Sequence, residues 1–148
     1  MSHRITRLPG NVAELVDRVP DPDIAACTYF LAITVTSAVD IGDHPELSTA
    51  LSELRERGVV APSHRLQVGS LLAQQEQRAF AAARRGDHDA HERAFFRARA
   101  LNCVVHAVGA GSSTPRPPRD TLREAAYEAA IACRGPAAVE SVLIRYAG

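Results

Sequence analysis

The chain is predicted to be a single all-α domain of six to seven helices. Three observations carry this. The segment from Ile24 to Val39 runs sixteen residues without a charge, while most of the chain around it is charged at helical spacing. No second strand-like run exists to pair with it, and a lone strand would leave its backbone groups unpaired. The other apolar residues recur every three or four positions between recognisable helix starts and stops.

The uncharged segment is read as a central helix over about residues 22–39. Asp21-Pro22-Asp23 supplies an N-cap, a proline at the first helical position and an acid on the positive end of the dipole. Tyr29, Phe30, Ile33 and Val35 lean toward strand, because β-branched side chains lose rotamer freedom in a helix. Thr28, Thr34 and Thr36 can still be buried there, since a threonine hydroxyl bonds back to the preceding turn. The helix is expected to be apolar on nearly all faces and packed from several sides. It falls short of the roughly twenty residues needed to cross a bilayer, and its flanks carry Asp21, Asp23, Asp40 and Asp43, so no membrane partner is expected.

Before it, Asn11 and Glu14 resemble a capping box for a short helix with Val12, Leu15, Val16 and Val19 on one side. After it, the chain breaks near Gly42. An amphipathic helix then runs through Leu47, Ala50, Leu51 and Leu54 and stops at Gly58, with Arg55 and Arg57 in its last turn. Ser63 is a cap candidate for the helix beyond.

The next pair of helices is predicted to form a long antiparallel hairpin over about residues 64–109. Val68, Leu71, Leu72, Ala79, Ala82 and Ala83 make one stripe; Ala90, Ala94, Ala98, Leu101, Val105 and Val108 make the other. Arg84-Arg85-Gly86-Asp87 joins a basic last turn, a glycine stop and a fresh N-cap, leaving room only for a tight reversal. Each arm would be roughly 33 Å long at the helical rise. A flexible Gly/Ser/Pro linker, 109–119, then connects helices rather than domains. Thr121 and Glu124 form a second capping box before Ala125, Ala126, Ala129, Ala130 and Cys133. Arg134-Gly135-Pro136 leads into a last helix with Val139, Val142, Leu143 and Tyr146.

The stretch RRGDHDAHERAFFRARAL resembles the G-D-x-x-A hairpins of tetratricopeptide repeats and flagellar export chaperones. The likeness covers that stretch alone, the arms are longer than a tetratricopeptide unit, and no membership is drawn from it.

Composition narrows the function classes. Net charge is zero and the pI is about 7.0, which gives no electrostatic reason to expect nucleic acid. All seventeen basic residues are Arg and Ala is abundant, as in a chain encoded by a GC-rich bacterial genome. Arg at any one position is therefore weak evidence for Arg-specific chemistry. MSHRITRLPG lacks the apolar core of a secretory signal, so a cytoplasmic protein is expected. Cys27, Cys103 and Cys133 are widely spaced in apolar segments and are expected to be buried free thiols.

His88, His91 and Glu92 share a helical face, as a two-histidine metal site requires. They occupy a first turn beside the hairpin tip and lack any HExxH or paired ExxH companion, so neither a metal nor a cofactor is expected. Asn102 and His106 stand i, i+4 in a segment with no charge between Arg99 and Arg116. Such a pair is expected to be buried and hydrogen-bonded, with Gln75 of the facing arm or a threonine of the central helix as a partner. Arg78, Arg84, Arg85, Arg93, Arg97 and Arg99 make the hairpin locally basic, in the manner of a solvated helix face. Phe80, Phe95 and Phe96 lie near its polar faces, where aromatic surface is expected to stay exposed.

With no nucleophile elbow, phosphate loop or triad spacing, the sequence favours a non-enzymatic protein-interaction module. Its partner would be a protein, a second copy docking through the hairpin as a homodimer being one form. The alternative is a small-molecule or metal-binding helical domain, an enzyme among the options, with a site near Tyr29, Gln75, Asn102 and His106.

Overall fold

A computed structural model describes residues 4–110 and 116–148. The described residues form an all-α domain with no strand. Seven α-helices run in order: α1 (Val12–Arg18), α2 (Ile24–Ala38), α3 (Pro45–Arg57), α4 (Pro62–Arg85), α5 (His88–Val108), α6 (Pro118–Ala132) and α7 (Ala137–Ile144). Short 3-10 turns at Arg4–Arg7 and Asp21–Asp23 precede α1 and α2. The expected linker falls partly on residues 111–115, which lie outside the described residues.

Helix starts are set by proline more than by polar caps. Pro45, Pro62 and Pro118 open α3, α4 and α6, where a missing N–H costs nothing and φ is already helical. Two expected starts are corrected, and at α1, which does begin just after Asn11, one expected cap bond. Asn11 makes no side-chain cap bond, Ser63 falls inside α4, and the Thr121–Glu124 box falls inside α6. Among the described helices, Asp87 alone caps with its side chain, accepting from the Ala90 N–H at 3.1 Å. The reversal before it works because Gly86 takes φ +73°, which a side chain would strain.

The uncharged helix α2 is central, as expected, and touches α3, α5, α6 and α7. Its burial is nevertheless one-sided. Ile24, Cys27, Leu31, Ala32 and Val35 form the inner stripe, whereas Ala25, Ala26, Ser37 and Ala38 are exposed. The threonines are accommodated by back-bonding at 2.9 Å: Thr28 to the Ile24 carbonyl, Thr34 to Phe30 and Thr36 to Ile33. The helix ends at Ala38, and the chain turns away at Asp40, φ +59°, two residues before Gly42.

Helix α6 lies between α2 and α5 and is as deeply buried as either. Leu122, Ala125, Ala126, Ala129 and Ala130 are all enclosed. Small side chains at these positions keep little bulk between α6 and its neighbours α2 and α5.

The hairpin α4–α5 is the longest feature. Its inner half packs on the bundle through Val68 and Leu71 of α4 and through Leu101, Val104, Val105 and Val108 of α5. Apart from α5, the main support of α4 is α3. In the outer half, from residue 76 to residue 97, only Ala82 and Ala94 are buried, so the two arms there rest mainly on each other.

Candidate functional site

The deepest polar group is Glu128, on α6, whose side chain is fully enclosed. Burying a carboxylate is tolerable only with compensating donors, and three side chains provide them. Asn102 Nδ2 donates to Oε1 at 2.9 Å, Arg4 Nη2 donates to Oε1 at 2.9 Å, and Arg99 Nη1 donates to Oε2 at 3.0 Å. Arg4 also grips Glu124 through Nε and Nη2, at 2.9 and 2.6 Å, and stacks over the Tyr127 ring. Burial disfavours the charged Arg4, but the bonds and charges of Glu124 and Glu128 outweigh it and hold the guanidinium above its usual pKa. The cluster pins the N-terminal turn, α5 and α6 together.

The cluster corrects the partner expected for Asn102, which bonds Glu128 of α6 and not Gln75. His106 is half-buried, and Arg116 Nη1 lies 3.4 Å from its Nδ1. Burial pushes its pKa down, against the pull of Glu124 and Glu128. The threonines expected as further partners are turned back on their own helix.

The four polar candidates each line a different cleft. Tyr29 borders one of about 220 Å³ between α2 and α3, with Ile33, Leu47 and Leu51. His106 borders one of about 390 Å³ with Arg65, Arg116 and the connector at Val59 and Val60. Gln75 and Asn102 fall on opposite faces of the hairpin. Gln75 is 4% exposed, and its Oε1 is enclosed without a hydrogen-bond partner.

The aromatic candidates divide as well. Phe80 is 66% exposed. Phe95 and Phe96 meet edge-to-face, centroids 5.2 Å apart, and both are partly covered. Phe96 lies beneath Arg134, 4.2 Å from guanidinium to ring, and Arg134 pairs with Glu92 at 2.7 Å. Phe96 therefore helps brace the hairpin against the α6–α7 turn, while Phe80 and Phe95 share an open cleft. His91 joins that cleft, its ring 6.3 Å from Phe95. Among the described residues, no group of three or more His, Cys, Asp or Glu is placed to hold a metal ion, and no helix is long and apolar enough to cross a membrane.

Sequence reasoning missed Glu128, Arg4, Arg99 and Glu124 as a unit. One signal was present: Glu128 is the sole charge between Glu124 and Arg134, inside AAYEAAIAC. No family model, no curated protein and no solved structure matches the chain.

Proposed function

We propose that the chain is a non-enzymatic interaction module whose docking element is the outer half of the α4–α5 hairpin, with a second copy as its partner. The observation that carries this is Phe80, two-thirds exposed at the edge of a cleft of about 360 Å³. Leu72, Ala79 and Ala83 of α4 and Phe95 and Ala98 of α5 supply the apolar part of its wall. A large aromatic side chain held in water beside an apolar cleft gains by entering a matching one, about 25 cal/mol for each Å² removed from solvent. Two hairpins facing each other about a twofold axis would present the same patch to one another, each Phe80 entering the other's cleft, and would complete a four-helix bundle.

Light scattering over a wide concentration range tests this. The wild-type chain is expected to approach twice the monomer mass, and Phe80→Glu to remain monomeric with an unchanged far-UV spectrum. A wild-type chain that stays monomeric throughout, or a Phe80→Glu variant that dimerises equally well, contradicts the proposal.

A further inference from the structure

The other face of the hairpin carries a different surface. A groove of about 270 Å³ runs between the arms there, walled by Arg78 and Arg85 of α4 and by Arg93 and Arg97 of α5, with no carboxylate in its lining. None of these four guanidiniums has an ion pair or a hydrogen bond among the described residues. By contrast Arg99, further along α5 toward the bundle, is paired with Glu128. We propose that this groove binds an acidic helix from a partner protein.

Shape and spacing select that occupant. The floor between the arginines includes Ala82 and Ala94, both buried, so nothing bulky holds a third helix away from the two arms. Arg78 and Arg85 stand seven residues apart and Arg93 and Arg97 four apart, about 10 Å and 6 Å along their helices. Carboxylates at i, i+4 and i+7 on a docked helix recur at those intervals. Arg pairs with carboxylate through two parallel donors, which fixes direction as well as affinity.

Gln75 adds an independent sign of a ligand. It lines the groove, is 4% exposed, and its amide oxygen is enclosed and unpaired. A buried acceptor without a partner forfeits the hydration it had in the unfolded chain, so a ligand that also brings an amide or hydroxyl donor is favoured there. A nucleic-acid strand fits less well. The chain has zero net charge, and Asp87 and Asp89 at the tip would repel a polyanion that continued past the end of the groove.

The probe is a labelled, alanine-based helical peptide with glutamates at i, i+4, i+7 and i+11 and one glutamine, followed by fluorescence anisotropy against the full chain. Controls are the same peptide with every glutamate replaced by glutamine, and a single-stranded oligonucleotide of equal charge. Expected are binding of the glutamate peptide that weakens with added salt, and a loss of about tenfold or more in Arg78→Ala/Arg93→Ala. Arg85→Ala, beside the tip, supplies a second variant should the double one unfold. The proposal is overturned if the glutamate peptide fails to bind, if the arginine variants bind it as well as wild type does, or if the oligonucleotide binds more tightly. Because this face is opposite Phe80, Phe80→Glu should bind the peptide unchanged, which keeps this outcome separate from that of self-association.

Discussion

Asn102 of α5 and Glu128 of α6 are joined at 2.9 Å inside the protein, and this bond commits the only asparagine of the hairpin to holding a buried charge. Arg99, one turn before Asn102, reaches the same carboxylate, so α5 supplies two adjacent donors to one acceptor on its neighbour. The register of α5 on α6 is therefore set by polar geometry within a surface that is otherwise largely apolar.

Glu128→Ala should destabilise the fold. The substitution leaves a cavity and removes the acceptor shared by Asn102, Arg4 and Arg99, and because the two guanidiniums keep 38% and 32% of their exposure to water, the expected loss is about 1–3 kcal/mol. Urea unfolding followed by circular dichroism checks this, through a lower midpoint at similar slope. A loss below about 1 kcal/mol would mean that the cluster does not pin the helices.

His106 gives a pH signature. Burial lowers its folded-state pKa below the ordinary 6.5, so the neutral ring is the one the fold prefers. The groups acting on it are Glu124 and Glu128, which oppose that shift, and Arg116 and Arg4, which assist it. With the folded value depressed, a cationic histidine is better tolerated unfolded. Its stabilising contribution is complete above pH 6.5 and is lost as pH falls from there toward the folded value. Melting temperature should decline over that window in wild type and decline less in His106→Gln. Glu53, which the His64 hydrogen bond holds below its ordinary 4.5, titrates at lower pH and does not confuse the comparison.

The cysteines should react in order of access. Burial, aided by Asp23, pushes Cys27 up to about 11, and burial raises the fully enclosed Cys103 further. Cys133 is only half-buried and is raised by burial alone. Since the thiolate is the reactive form, a maleimide at mildly alkaline pH should modify Cys133 first. Cys27 and Cys103 should react only at the rate of unfolding, as read by mass spectrometry of peptides. Early labelling of Cys103 would contradict the packing of α5 on α6.

The fold was legible because its signals are local. The Arg-Arg-Gly-Asp reversal and Gly58 each act within a turn of chain and the uncharged run of α2 within one continuous segment, and each appears where the residues indicate. Helix starts were less legible, since a nearby proline displaced the capping potential of Ser63 and Thr121. The buried cluster was least legible. Arg4 and Glu128 are 124 positions apart in sequence, and nothing at either end announces the other. Asn102 was recognised as hydrogen-bonded from its apolar surroundings, but it is only partly buried, and its partner depended on α6 packing against α5, which periodicity does not encode. Phe80 and Phe96 have similar sequence settings, yet Arg134 covers only the second.

Whether a second copy covers the Phe80 face of the hairpin is tested most directly by hydrogen exchange at low and high protein concentration. Amides in the outer hairpin, residues 76 to 97, should exchange freely when dilute, because their helices have little support beyond each other. At high concentration, slower exchange is expected, confined to that stretch and absent in Phe80→Glu. Exchange that is independent of concentration there, or protection that appears on α1, α3 or α7 instead, would contradict self-association through this face.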